Sequence, residues 1–334
     1  MAGTIGREFD GVILAAGRGT RMAPFSDRYP KPLLPILNKP LICHQIEYLR
    51  DMGAGRIVVV IGHLGHEIAQ HLGRGEAFGV QIDYVEQRDS LGIAHAVMQL
   101  EPHIQRPFAM LLGDIYFDMD RSIDPLARMR DESAAGLLAI MNEPDAVALR
   151  RNFAVHMDEN RRVLRVVEKP RFPRTHWKGC GLYVLDVSFF DAVRRTPRTA
   201  GRNEYEITDA IQIFIDDGAR VIACDMVSID INLTYPYDVL LANLHALRTA
   251  GLDNAVAPGA KIDPSANLHQ CVIGAGARIG PGASLRHVVV MPNSVVSTRE
   301  PIDRTVITVD QMVDCRYWVN SGGAPAGRGE QIVH

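Results

Sequence analysis

The chain has 334 residues, 47% hydrophobic and 22% charged, which is the balance of a globular protein with room for a large domain and a smaller one. A formal charge of −3 argues against broad nucleic-acid or anionic-membrane binding, so a local cluster of cations is better read as serving one small anionic ligand. Cys43, Cys180, Cys224, Cys271 and Cys315 are scattered without C-x-x-C spacing, and the chain has neither an apolar leader nor an apolar run of about 18 residues, so a cytoplasmic protein with reduced thiols is expected.

After an extension over residues 1–10, Val12–Ala15 is expected as a buried strand, followed by LAAGRGTRMAPFSDRYPKPLLP from Leu14 to Pro35. Gly17 and Gly19 free the backbone so that successive N–H groups can converge on an anion, and phosphate is the obvious guest. Arg21 adds a planar fork of donors, and Lys31, between Pro30 and Pro32, adds a compact charge on a stiffened loop. Met22 stands where a dinucleotide fingerprint needs its third glycine, and no Gly-Lys-Ser/Thr closes a Walker loop.

Strands are then predicted at 56–61, 81–86, 108–112 and 137–141, alternating with helices at 41–52, 66–72, 93–100 and 123–131. Such alternation predicts a mostly parallel α/β sheet covered by helices, with the ligand crevice at the carboxyl ends of its strands, where Gly17 and Asp114 both fall. Strands at 153–157, 163–167, 181–185 and 220–226 are expected partly to extend that sheet and partly to cover the substrate. Helices at 207–215 and 237–249 close this domain, taken as 11–250.

After Ala255 the texture changes. Val256, Ile262 and Leu268 recur every six residues, the phase slips by one at Gln270–Val272, and Ile273, Ile279 and Leu285 resume it. This hexapeptide pattern predicts a short parallel β-helix over 255–300, too small to stand alone unless it packs on the first domain or on a partner chain. Residues 316–334 have the composition of a mobile tail.

The combination G-x-G-T-R with a downstream P-K-P resembles the signature of the sugar-1-phosphate nucleotidylyltransferases, and further motifs extend the resemblance over about three quarters of the chain. Leu111-Leu112-Gly113-Asp114 ends an apolar strand in a carboxylate and matches the family's metal-binding aspartate. Val227-Ser228-Ile229-Asp230-Ile231-Asn232 resembles the second metal element, although Leu233-Thr234-Tyr235-Pro236 is one residue longer than usual and unsettles the helix start. Glu168-Lys169-Pro170 matches E-K-P, where Lys169 would take the sugar phosphate and Glu168 would accept from sugar hydroxyls.

The segment from Gln87 to Ala96 resembles the base-reading element of uridylyl- and thymidylyl-transferring members. There the Gln87 amide would meet a pyrimidine edge and Gly92 would admit the base or ribose; His95 is read as helix packing with no role. Gly181-Leu182-Tyr183 and Glu204–Asp209 match elements lining the sugar, but Asn152-Phe153 replaces the usual Tyr-Gly, and the phenyl group would refill the sugar pocket or signal a shifted alignment. The resemblance implies Mg²⁺ at Asp114 and Asp230, and a nucleotide at Leu14, Ala15, Gly17, Gly19, Thr20, Arg21, Gln87 and Gly92. It implies a sugar phosphate at Asn152, Glu168, Lys169 and Gly181.

The expected reaction is transfer from UTP or dTTP to a sugar 1-phosphate, glucose 1-phosphate by default, in a homo-oligomer that contacts itself through the β-helix. Alternatives are a GTP:mannose-1-phosphate guanylyltransferase and a non-catalytic scaffold paralogue acting through the same β-helix. Acyl transfer by the β-helix is disfavoured because the repeats end near Val295.

Overall fold

A computed structural model describes residues 9–316 apart from 24, 26–28 and 202. The expected extension and tail therefore lie almost wholly outside the described residues. The chain divides into two compact units: residues 1–18 with 42–230, and residues 19–41 with 231–334.

The first unit is built on one mixed sheet. Its strands are β1 (Asp10–Ala15), β2 (Arg56–Ile61), β3 (Gln81–Glu86), β4 (Phe108–Leu112), β6 (Gly136–Asn142), β7 (Phe153–Met157), β8 (Val163–Glu168), β9 (Trp177–Leu185) and β10 (Val221–Asp225). Among the described residues the order is β8-β7-β9-β4-β1-β2-β3, with β6 pairing β9 and β10 pairing β6. The half containing β4, β1, β2 and β3 is parallel, as the βα alternation predicts. β9 runs antiparallel to β4, β6 and β7, which is where the sheet departs from parallel. The strands at 153–226 thus all extend the first sheet.

Helices α1 (Leu41–Asp51), α2 (Gly65–Leu72), α3 (Ile93–Met98), α4 (Pro125–Asp131), α5 (Phe189–Arg195) and α6 (Ile207–Asp216) connect the strands. α5 is an element the pattern misses, because two turns give too short a period to register. Its apolar face is buried all the same: Phe190 stacks on Phe108 with centroids 5.5 Å apart, and Phe189 meets Phe214 edge-on at 5.4 Å. Also unforeseen is β5 (Ile115–Met119), which pairs with β11 (Val227–Asn232) in a separate two-stranded ribbon. β9 begins at Trp177 and not at Gly181, since Lys178 and Gly179 are polar or small yet still sit in register with β7 and β6.

The second unit joins helix α7 (Pro236–Thr249) to the coiled C-terminal strands. α7 starts on a proline, and the extra residue before it is absorbed by a tight turn in which the Thr234 N–H donates to the Asn232 carbonyl at 2.7 Å. The Asp238 carboxylate then accepts from the N–H groups of Thr234 and Tyr235 at 2.8 and 2.7 Å, satisfying donors that a helix start leaves unpaired.

The β-helix is longer than the hexapeptide count suggests. Parallel register stacks Ala255, Val272, Val289 and Val306, each 17 residues after the last, and likewise Ile262, Ile279 and Val296. The one-residue phase slip therefore recurs in every coil. The array runs through Ile302–Ile307 before Met312–Asp314 turns back antiparallel. Its interior is filled by Ile273, Ile279, Leu285, Val290, Val296 and Ile307.

Helix α7 packs on the strands Ser284–Val290 and Ile302–Ile307 of this coil. Fully buried Asn243 of α7 also grips the segment before α1: its Oδ1 accepts from the Leu37 N–H and its Nδ2 donates to the Pro35 carbonyl, both at 2.9 Å. Asn38 Nδ2 donates to the Ala255 carbonyl at 3.2 Å. These bonds explain why residues 19–41 group with the C-terminal part of the chain. Among the described residues no helix is long and apolar enough to cross a membrane.

Candidate active site

In the first unit β1 and β4 are adjacent parallel strands, with Leu14 opposite Leu112. The chain proceeds from β1 outward to β2 and β3 and returns to β4 on the other side, so their carboxyl ends flank a topological switch point. The Gly113 N–H donates to the Leu14 carbonyl at 2.9 Å, and a Cβ on Gly113 would lie 2.7 Å from that oxygen. Glycine there lets Asp114 follow directly beside the end of β1. Ala15 is buried, whereas Gly17 is exposed and has nothing within 4 Å of where its Cβ would be, leaving its backbone open to a ligand.

β9 brings together the expected sugar and metal residues. A Cβ on Gly181 would press on Ile115 and Leu112 at 2.6 and 2.9 Å, so Gly181 packs against the two residues that flank Gly113-Asp114. Three positions earlier on the strand, the Lys178 ammonium is paired with the Asp230 carboxylate, both side chains being less than a tenth exposed. Burial first, and then the Asp230 charge, pushes the Cys180 thiol well above its ordinary value. Lys178 escapes the sequence reading, because a lone lysine in an apolar strand signals an ionic partner without saying which.

Asn152 and Lys169 meet at the ends of β7 and β8, where the Lys169 N–H donates to the Asn152 carbonyl at 2.8 Å. Lys169 has φ +43°, a left-handed conformation that costs a non-glycine residue about 1–2 kcal/mol. Its side chain is 45% exposed, with the ammonium 3.4 Å from Glu168. The Phe153 side chain, meanwhile, is in the core: it lies across from Gly179 in the β7–β9 pair and stacks on Tyr183 with centroids 6.4 Å apart. The alignment at 152–153 therefore leaves Asn152, and not the phenyl group, beside Lys169.

Gln87 follows β3 and is buried, and its Nε2 lies 3.0 Å from Nδ1 of His95. Gly92 has φ +104°, and a Cβ there would fall 2.5 Å from the Tyr205 carbonyl oxygen, so its bare Cα admits the backbone of the Glu204–Asp209 segment.

In the second unit Gly19 has φ +63°, and a Cβ on it would lie 2.9 Å from Cε of Lys31. The lysine stem thus lies along the glycine, which couples two parts of the motif that are twelve residues apart. Lys31 is buried, and Thr20 and Arg21 are exposed in the short turn Thr20–Met22. Nearby Asp238 has its carboxyl raised by burial, against the N–H groups of Tyr235 and Thr234 and the cations Lys31 and Arg21.

Residues 10–231 match the family described as nucleotidyl transferase. The chain belongs to that family. It is 33% identical over 227 residues to UTP–glucose-1-phosphate uridylyltransferase AglF of Haloferax volcanii, covering 68% of this chain and 92% of that one. It is 32% identical over 215 residues to a glucose-1-phosphate thymidylyltransferase of Streptomyces antibioticus, covering 63% of this chain and 58% of that one. A solved UDP-glucose pyrophosphorylase, complexed with UDP-glucose, superposes with a TM-score of 0.63 over 72% of this chain and 99% of its own, at 21% identity, and shares the fold. The sugar-1-phosphate nucleotidyltransferase class expected from the motifs is borne out.

Members of this family generally use a divalent ion, and Asp114 and Asp230 offer the hard oxygen donors that Mg²⁺ takes. Among the described residues no group of three or more His, Cys, Asp or Glu converges as a metal cage. That pattern fits an ion held by one or two carboxylates together with substrate phosphates and water.

Proposed function

We propose that this nucleotidyl transferase moves a nucleotidyl group from UTP or dTTP to a sugar 1-phosphate, by default glucose 1-phosphate, in a Mg²⁺-dependent reaction that yields an NDP-sugar and pyrophosphate. The observation that carries the reading is the pairing of an open glycine turn after β1 with Asp114 after β4 at a switch point of the sheet. The named activities of the Haloferax and Streptomyces relatives support the choice of uridylyl or thymidylyl transfer to glucose 1-phosphate.

A phosphate oxygen of the sugar 1-phosphate attacks the α-phosphorus in line. The new P–O bond forms as the bond to pyrophosphate breaks, with no covalent enzyme intermediate, so positioning and charge stabilisation supply most of the rate. Backbone N–H groups at Gly17, Gly19 and Thr20 cradle the phosphates, beside Leu14 and Ala15. Arg21 and Lys31 stabilise the charge growing on the leaving pyrophosphate. Lys169 holds the attacking phosphate, Glu168 accepts from sugar hydroxyls, Asn152 and Gly181 line the sugar side, and Gln87 and Gly92 receive the base. Asp114 and Asp230 hold the Mg²⁺, whose contribution when bound is neutralisation of charge on the α-phosphate.

The decisive test offers the purified protein Mg²⁺, each NTP and a panel of sugar 1-phosphates and measures pyrophosphate release. Reaction with UTP or dTTP is expected; folded protein that binds UTP and releases none with any pair would refute the reading. Asp114→Asn should cost at least about 10²-fold in turnover. The β-helix would serve as the subunit contact of a homo-oligomer, a reading supported by Val295, 62% exposed on it, and checked by sedimentation of a Val295→Glu variant.

A further inference from the structure

Among the described residues the Gln87 side-chain amide makes one hydrogen bond, with Nε2 3.0 Å from His95 Nδ1. With the amide nitrogen donating, Nδ1 presents its lone pair, the arrangement of a neutral ring that carries its proton on Nε2. The other polar neighbour of the ring, Gln99 Nε2, is 3.5 Å from His95 Nε2 and too distant to compete. The ring itself is fixed. It stacks on Tyr205 with centroids 6.0 Å apart and planes 24° apart. Tyr205 is pinned in turn by its N–H to the Leu91 carbonyl at 2.7 Å and its carbonyl to the Ala94 N–H at 3.0 Å.

With one amide hydrogen committed to His95, Gln87 offers a ligand its Oε1 acceptor and its second N–H donor in a fixed order. A uracil or thymine edge presents N3–H beside a carbonyl and matches that order. Cytosine presents a bare N3 beside an amino group, the reverse. To read cytosine the amide must turn over, which either sets Oε1 against the Nδ1 lone pair or obliges the ring to move its proton from Nε2 to Nδ1, and either change costs free energy in a buried place. Resting on the proposal that Gln87 reads the base, we infer that His95 is a positioning residue that locks the Gln87 amide and thereby selects UTP or dTTP over CTP.

UTP and CTP have the same size, so their comparison isolates this effect. His95→Phe keeps a ring against Tyr205 and deletes Nδ1, whereas His95→Asn returns an acceptor near that position. The test measures kcat and KM for UTP and CTP with saturating sugar 1-phosphate. His95→Phe should lower the UTP:CTP ratio of kcat/KM by at least about 10-fold, chiefly through KM, and His95→Asn should restore most of it. An unchanged ratio in a His95→Phe protein that melts like the parent overturns the inference. Ring-nitrogen NMR of the unmodified protein adds an arm independent of folding: a proton on Nε2 is expected, and one on Nδ1 overturns the lock. A parent enzyme that takes CTP as readily as UTP would instead overturn the reading of Gln87 itself, and this inference with it.

Discussion

Lys178 of β9 and Asp230 of β11 form an ion pair whose side chains are 7% and 8% exposed. Neither charge can be left alone at that depth, because the protein interior replaces little of the hydration each gives up. Lys178→Met should therefore destabilise the protein by about 3–5 kcal/mol, the usual loss when one partner of a buried pair is removed. Since a ligand that binds only the native state stabilises it, Mg²⁺ should recover part of the loss if Asp230 takes the ion. Thermal melts of parent and variant, with and without Mg²⁺, measure both effects; a variant that melts like the parent would show that the pair adds nothing.

Gly179 and Phe153 make a second cross-strand relationship. A Cβ on Gly179 would fall 1.9 Å from two carbons of the Phe153 ring, so Gly179→Ala must push the phenyl group out of its place against Tyr183. The expected cost is about 1–3 kcal/mol from overpacking. Phe153→Leu in the same chain should relieve much of it, and a double-mutant cycle by denaturant unfolding reads the coupling. Additive effects would mean that ring and glycine do not meet.

Asn243→Ala removes the partner of the Leu37 N–H and the Pro35 carbonyl together. Each group left unsatisfied costs about 1–3 kcal/mol. The segment carrying Lys31 should loosen as a result. Hydrogen exchange at the Leu37 amide should rise sharply, and KM for the NTP should increase more than kcat falls. Parent-like protection of Leu37 would contradict this account.

Asp303 in the β-helix supplies a pH dependence. Burial would raise its carboxyl, but hydrogen bonds from His287 and Arg286 and the charge of Arg304 outweigh burial and hold it below the ordinary 3.8. A depressed folded-state value means that its contribution to stability is present above the unfolded value and lost as pH falls through the folded one. Asp303→Asn should thus flatten the acid limb of stability below about pH 4, with little change in the shape of the curve near neutrality. Unfolding midpoints at stepped pH values test this, and parallel acid limbs would count against it.

Strands β1 to β4 and β6 were legible because buried strands of such a sheet are short apolar runs bounded by turns, and the ends of β1 and β4 fix where Gly17 and Asp114 emerge. The phosphate motif was legible for a similar reason: Gly19 needs φ +63° and must accept the Lys31 stem, so two requirements fall on one residue type. His95 was not legible. A histidine on a short helix looks the same whether it fills space or holds an amide, and only the 3.0 Å approach of Gln87 separates the two. Phe153 was ambiguous for a different reason, since its position beside Asn152 in sequence says nothing about which face of β7 it takes.

The sequence by itself determined the family, the α/β alternation, the repeating C-terminal texture and the candidate residues for a phosphate ligand, because local periodicity and backbone freedom are properties of neighbouring residues. Only the tertiary structure decided that Lys178 faces Asp230, that Gly92 makes room for Tyr205 and that the β-helix advances by 17 residues per coil. Those relationships depend on strand register and on contacts between distant segments, and a shift of one residue would turn every side chain of a strand to its other face.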